Sequence, residues 1–279
     1  MKTLKAKTPW ILGALFLVLM IAGLDGTLKT VTYAIPTQKV QKPIRLAIAA
    51  DLHSCYYGPN QEDLLQALEE SRADALLLPG DIFDDVGDNE NTRIFLTRVA
   101  AKLPTFYVTG NHEYWSKDAP SMVDFVKSQG ITVLDGTQKT VLLRNQPVTF
   151  YGVDDPEVDR YLGKTPDFQA QLAAVHQSPR GPGLHVLLAH RPELITDYLK
   201  GSYDLIVSGH AHGGQWRIPF LLNGLYAPDQ GLIPKYAGGR YDFASSVFVV
   251  SRGLARESTR VPRIFNRPEW VLADFLPKP

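Results

Sequence analysis

The chain predicts an α/β sandwich of mixed sheets, and three observations carry that fold class. Continuous apolar runs at 44–50, 75–79, 184–189 and 205–208 alternate with amphipathic segments, the rhythm of buried strands joined by helices. The rhythm changes at 131–134, 140–143 and 148–153, where short β-rich runs are separated by Gly and Asn-Gln-Pro turns, which predicts antiparallel pairing. Polar residues of one chemical kind gather just where the buried runs stop. With 279 residues, 44% hydrophobic and 21% charged, the chain is long and apolar enough to bury a core, so disorder as the main state is excluded.

The elements follow in order. Residues 9–24 carry no charge, follow Lys2, Lys5 and Lys7, and precede Asp25. As a helix they span about 24 Å, short of the ~30 Å hydrocarbon core, so they read as a short membrane helix or a signal-peptide apolar region. The leading lysines favour a cytoplasmic N-terminus and an extracytoplasmic remainder, secreted if the segment is cleaved. Residues 1–25 thus form an anchor or signal segment, 26–43 a linker with an edge strand at 29–34, and 44–279 a single catalytic domain. Helices are expected at 63–70, where Leu64, Leu65 and Leu68 share a face, and at 92–102, 121–129 and 168–176. A further helix starts at Pro192, a residue at home in a first turn. Strands are expected at 104–109, 247–251 and 270–275 besides those named above.

Charge and cysteine content exclude several functions. Lys+Arg and Asp+Glu both number 29, so no basic excess points to nucleic acid. The single cysteine, Cys55, permits neither an internal disulfide nor a Cys-based zinc site and reads as a small buried apolar residue. No G-x-S-x-G elbow supports a serine hydrolase.

What remains is the polar chemistry at the strand ends: Asp51-x-His53, Gly80-Asp81-x-x-Asp84, Gly110-Asn111-His112-Glu113, His190 and Gly209-His210-x-His212. Five of the seven histidines fall there, and ligands of open α/β sheets bind outside the carboxyl ends of strands. On an extended strand end, Asp51 and His53, two apart, face one way, and His210 and His212 repeat that spacing. An Asp, Asn and His set without Cys suits Mn, Fe or Zn. It holds too many ligands for one four-coordinate site and enough for two divalent ions sharing a carboxylate, the arrangement that clamps an in-line displacement at phosphorus.

In order and rough spacing, these five motifs over residues 46–212 resemble those of the calcineurin-like metallophosphoesterases. The extensions Gly213-Gly214-Gln215, Ala227-Pro228-x-Gln230-Gly231 and Ser251-Arg252-Gly253-Leu254 resemble the bacterial membrane-anchored or exported branch. One departure is Ala50, where many members have Gly. The resemblance implies a four-layer α/β/β/α sandwich of two mixed sheets. It implies that Asp51, His53 and His212 hold a first ion, that Asp81 bridges, and that Asn111, His190 and His210 hold a second. It implies His112 near the leaving oxygen as general acid or transition-state charge, with Asp84 orienting His112 or a ligand.

Two regions lie outside the motifs. Residues 213–245, rich in Gly, Pro and Tyr, read as a long functional loop that walls the substrate. Arg252, Arg256, Arg260, Arg263 and Arg267 stand against one acid, Glu257, and Arg252 is the expected substrate contact, since a guanidinium matches phosphate. Surface solvation and contact with anionic headgroups are the competing readings of these arginines. The function expected is a membrane-associated dinuclear phosphoesterase cutting phosphodiester or pyrophosphate bonds, with a phospholipid or lipid-linked substrate in the manner of UDP-2,3-diacylglucosamine hydrolases. Phosphomonoesterase or nuclease action at the same ions, and a non-catalytic metal-dependent scaffold, are the alternatives.

Overall fold

The computed structural model describes residues 10, 13, 17–19, 21–161, 167–256 and 261–278. Two six-stranded sheets face each other. The first has the order β1 (Lys29–Thr37), β14 (Glu269–Pro277), β2 (Ile44–Ile48), β3 (Ala75–Pro79), β4 (Thr105–Val108), β5 (Thr132–Val133). The second runs β12 (Gly239–Asp242), β13 (Val247–Val250), β9 (Leu205–Ser208), β8 (Leu184–Leu188), β7 (Gln146–Gly152), β6 (Thr137–Leu143). Both are mixed. β2 to β5 are parallel, as are β7, β8, β9 and β13, whereas β14 runs antiparallel to β2 and β6 and β12 are antiparallel edges.

Side-chain alternation along the strands builds three apolar layers. Leu46, Ile48, Leu77 and Phe106 meet Phe150, Val186, Leu188 and Val207 between the sheets, where Phe106 and Phe150 stack at 4.0 Å. The opposite face of the first sheet, with Ala47, Leu76, Leu78 and Tyr107, packs on α1 (Glu62–Ser71), α2 (Glu90–Ala100) and α4 (Ala119–Ser128). The outer face of the second, with Tyr151, Leu187, Ile206 and Phe248, packs on α6 (Phe168–Gln177) and α7 (Ile195–Tyr198). The result is helix, sheet, sheet, helix. Two five-residue helices, α3 (Asn111–Trp115) and α5 (Glu157–Tyr161), complete the set.

The local chemistry of the helices fits their ends. α1 buries Leu64, Leu65 and Leu68, opens on Glu62 and Asp63 at its positive pole, and stops at Arg72 in a left-handed conformation. α6 starts where the Asp167 carboxylate accepts the Ala170 N–H at 2.8 Å.

Three expectations change. The run at 131–134 contains β5, which pairs parallel to β4 on the first sheet rather than antiparallel with β6. A left-handed turn at Gly136 then carries the chain across to the second sheet, where the Gly136 N–H meets the Gly152 carbonyl. The edge strand expected at 29–34 is present and longer, since β1 pairs in parallel with β14 from Lys29 to Thr37. No helix among the described residues is long and apolar enough to cross a membrane, and much of the segment 9–24 lies outside the described residues.

Candidate metal centre

The parallel strands deliver their carboxyl ends to one edge of the molecule. β2 is followed by Asp51 and His53, β3 by Asp81, β4 by Asn111 and His112, β8 by His190, and β9 by His210 and His212. The two-residue spacings do not act through extended backbone, as the strand reading had it. Asp51, His53, Asp81, His210 and His212 all lie in left-handed turns, with φ between 46° and 65°. Such turns are uncommon outside glycine, but Asp and His are among the residue types that adopt them most readily. Here the loops lock together: Asp51 donates its N–H to the Gly80 carbonyl and His53 to the Asp81 carbonyl. Only glycine allows this approach, since a Cβ at Gly110 would sit 2.2 Å from Asp81 Oδ1.

Among the described residues the donor atoms form four groups, two of which share Asp81. Asp51, His53, Asp81 and His212 offer ligand atoms within 4.8 Å of one another, and so do Asp81, His190 and His210. Each shared or terminal carboxylate spends one oxygen on the backbone and keeps the other. Asp51 Oδ1 accepts the His210 N–H at 2.7 Å and Asp81 Oδ1 the His112 N–H at 2.9 Å. The ring of His190 places Nδ1 at 2.8 Å from the Pro79 carbonyl, which makes Nδ1 the protonated nitrogen and turns Nε2 inward, 3.1 Å from Asp81 Oδ2. Asp51 Oδ2, Asp81 Oδ2, Asn111 Oδ1, His190 Nε2, His212 Nδ1 and both His53 ring nitrogens are buried without a hydrogen-bond partner. So many orphaned donor atoms facing one space are costly unless a cation collects them. The residues therefore fit a dinuclear metal site, and their N/O character suits Mn, Fe or Zn alike.

The electrostatics agree. Burial raises the Asp51 carboxyl above its ordinary range, while Asp81 is held low despite burial, chiefly by the neighbouring rings of His190 and His112. Burial opposes charge on His190, but Asp81 and Asp51 outweigh it and lift its pKa to about 10. Burial likewise opposes a charged His112, and Asp84, Asp81 and Asp85 together raise it to about 9. Both rings thus gain from protonation only in the folded state. Stability from that source is complete below the unfolded value of about 6.5 and is lost as pH climbs to about 9–10. Protein stripped of divalent ions should therefore melt at progressively lower temperature from pH 6.5 to 10 in calorimetry. A melting temperature that climbs over this window contradicts the arrangement.

His112 stands beside this centre, its ring edge-on to His53 at 4.3 Å. The expected orienting acid, Asp84, lies between the two rings, 3.4 Å from His53 Nδ1 and 3.7 Å from His112 Nδ1. The close partner of His112 is the next residue, Asp85, at 2.6 Å. Sequence reasoning passed over Asp85, although the adjacent acid pair was its only visible signal. Two further acids were also missed or underweighted. The buried Glu113 carboxylate accepts the N–H groups of Asp81, Ile82, Phe83 and Gly110, tying the β3 and β4 loops together. Asp229 lies 2.9 Å from His210 Nε2 and 2.7 Å from Arg191, whose guanidinium also grips Asp155.

Arg252 does not occupy the place expected of a substrate contact. Its side chain is buried and donates to Asn223 Oδ1 at 2.6 Å and to the Asn223 and Gly238 carbonyls, with Glu269 at 3.7 Å. It pins the long loop to β14. Arg252→Ala strips a buried carboxylate of its cation and should cost about 3–5 kcal/mol of unfolding free energy in denaturant titration. A loss of substrate affinity without a loss of stability would restore the original reading. His185, outside the motifs, contacts Tyr151 Oη and the Gly181 carbonyl, and Cys55 is buried and accepts the Arg256 N–H at 3.2 Å.

Comparison with known proteins places this geometry. Residues 44–214 match the model of the calcineurin-like phosphoesterase family. An uncharacterized metallophosphoesterase of Aquifex aeolicus is 29% identical over 257 residues, covering 88% of this chain and 90% of the relative. Phosphodiesterase YaeI of Escherichia coli is 27% identical over 240 residues, covering 84% and 83%. Among solved structures, the phosphopantetheinyl hydrolase PptH of Mycobacterium tuberculosis superimposes with a TM-score of 0.52 at 15% identity, covering 86% of this chain and 98% of that one, a likeness of fold. The motif order, the four-layer architecture and the paired donor groups meet in one conclusion: the chain belongs to the calcineurin-like phosphoesterase family, metal-dependent hydrolases of phosphoric esters.

Proposed function

We propose that this chain is a dinuclear phosphodiesterase or pyrophosphatase that works at a membrane surface on a phospholipid or lipid-linked substrate. The observation that carries the reading is Asp81, common to both donor groups, with Oδ2 lying 3.1 Å from His190 Nε2 and 3.6 Å from His53 Nε2. In this reading Asp51, His53 and His212 hold one ion, Asn111, His190 and His210 the other, and Asp81 both. Bound there, the ions supply Lewis-acid stabilisation of phosphoryl charge and an activated water. The protein supplies the rest. The loop contacts of Asp51, Asp81 and Glu113 hold the ligands in place before substrate arrives. His112, whose proton affinity Asp84, Asp81 and Asp85 raise, would donate its proton to the departing oxygen, and Asp85 and Asp84 hold the ring. Arg191 at this edge is held by Asp155 and Asp229.

The membrane part of the proposal rests on the charge pattern of residues 1–25, with the catalytic domain on the outer face. A reporter fused after residue 279 tests the orientation, and activity of a cytoplasmic reporter there removes it. The reaction is tested by supplying Mn, Fe or Zn to ion-free protein and assaying activated monoesters, diesters and lipid diphosphates, with ion content measured on the same sample. Hydrolysis of diesters or diphosphates ahead of monoesters is the expected result, and preference for monoesters or nucleic acid overturns the substrate assignment.

A further inference from the structure

The loop that follows the last candidate ligand carries an unusual surface. From 213 to 228 it contains no acidic residue and one cation, Arg217. A tight turn closes at Ile218–Leu222, where the Leu221 and Leu222 N–H groups reach the Ile218 carbonyl. At its apex Phe220 is fully exposed, in a left-handed conformation that a bulky residue adopts only under constraint, and Leu221 is 85% exposed. A second step beside it, on the two-stranded ladder β10 (Tyr226–Ala227) and β11 (Gly231–Leu232), exposes Leu232 and Ile233. Trp216 and Tyr226 flank the step, half exposed. Monomeric proteins do not normally leave large apolar tips of this kind in water.

Its neighbours name the occupant. Trp216 bridges to Ile264, Phe265 donates its N–H to the Gly23 carbonyl at 2.6 Å, and Gly23 lies against the Phe265 ring and Ile264. The loop is thereby joined to the end of the apolar segment, whose described residues Leu17, Val18, Leu19 and Ile21 are exposed as well. On the other side the Asn266 amide donates to the His212 carbonyl at 2.7 Å, so the same strip touches the candidate metal centre. Beside Arg217, between β1 and residues 265–269, opens a cavity of 210 Å³ lined by Lys29, Tyr33, Arg217, Arg252, Arg267 and Glu269; Arg252 lies 3.7 Å from Glu269 and Arg267 3.3 Å from Asp25, while Arg217 Nε is buried and without a partner.

We propose that the 216–233 loop is a bilayer-docking surface: Phe220, Leu221, Leu232 and Ile233 enter the acyl boundary beside the apolar segment, and the Lys29–Arg217–Arg267 cavity takes an anionic lipid phosphate. Trp216 and Tyr226 then sit at headgroup depth, where indole and phenol rings are favoured. A second copy of the chain would satisfy apolar tips but not the cationic cavity or its continuity with the segment. The inference draws on the membrane part of the proposed function and is independent of the hydrolytic part.

The test places a reporter in the loop of the full chain. Because Cys55 is buried, Leu221→Cys offers one accessible thiol for an environment-sensitive fluorophore. The chain is mixed with phosphatidylcholine vesicles, with and without phosphatidylglycerol, carrying nitroxide-labelled acyl chains. Insertion about 5–10 Å below the headgroups should cost the label about half its emission, more with the nitroxide near the headgroup than near the chain end. A label at Leu142→Cys, 70% exposed on β6, should keep its emission. Arg217→Gln should weaken binding to anionic vesicles about fivefold and leave neutral ones unaffected. If the chain floats with vesicles while the 221 label stays unquenched, the apolar segment alone holds it and the proposal fails. It also fails if the chain does not float, or if the label is shielded only in a species of doubled mass. Hydrolysis of a soluble diester, assayed on the same preparation, reports separately on the proposed reaction.

Discussion

Asp81→Asn is expected to leave the fold intact, empty the metal centre of at least one ion, and reduce hydrolysis by at least about 10³-fold. The substitution keeps the size of the side chain, and the amide oxygen can still accept the His112 N–H that Oδ1 accepts now. What it removes is the charge that two groups of ligands share, at a carboxylate within reach of both His53, 3.6 Å away, and His190, 3.1 Å away. Without that charge His190 also loses the nearer of the carboxylates that raise its pKa, while Asp51 remains. Ion content by elemental analysis after dialysis, with activity at saturating metal, decides the matter. A variant that retains both ions and full turnover would remove Asp81 from the shared position.

His112→Gln should have the opposite signature: ions retained, turnover lost. The ring contributes no atom to the two donor groups that share Asp81, although it lies with Asp84 and His53 in a third; its N–H bond to Asp81 is made by backbone, and its Nδ1 is engaged by Asp85 at 2.6 Å. Loss of a positioned acid typically costs about 10²–10⁴-fold in kcat. The loss should be greatest for alkoxide leaving groups, which need a proton, and small for nitrophenolate, which does not. An equal loss for both, or a fall in ion content, would make His112 a structural or ligating residue. Asp85→Asn, which should lower the His112 pKa from about 9 in an NMR titration of ion-free protein, gives a milder version of the same effect.

The residues that the sequence revealed best are those whose environment leaves a compositional mark. Strands buried on both faces must be apolar throughout, so β3, β8 and β9 appear within a residue of their true limits. Asp, Asn and His at the ends of such runs stand out for the same reason. Legibility stops where identity is decided by direction. Asp84 and Asp85 are equivalent as letters, and only the turn of the loop gives Asp85 the short contact to His112. Arg252 follows a strand as a phosphate contact would, yet its buried partners Asn223, Gly238 and Glu269 lie 14 to 29 residues away. β12 was missed because Gly-Arg-Tyr-Asp, a half-exposed edge strand, has no apolar face to display. The left-handed turns at five candidate ligands leave no mark either, since the chain pays for them through tertiary contacts rather than through glycine.

The order of strands in the first sheet sets the timetable of maturation. β14, the last strand of the chain, lies between β1 and β2, the first two, and pairs with both along most of its length. Early-made segments must therefore wait, with a gap between them, for a partner more than 200 residues downstream, a contact of very high sequence separation that slows folding. The late strand also carries Glu269, which accepts the Arg252 N–H, next to the Gly253 that packs against Asp51. A nascent chain can thus assemble β2 to β5 and still lack the wall behind its first ligand. Closure of the first sheet and of the wall behind Asp51 therefore depends on the pairing that forms across the greatest sequence separation.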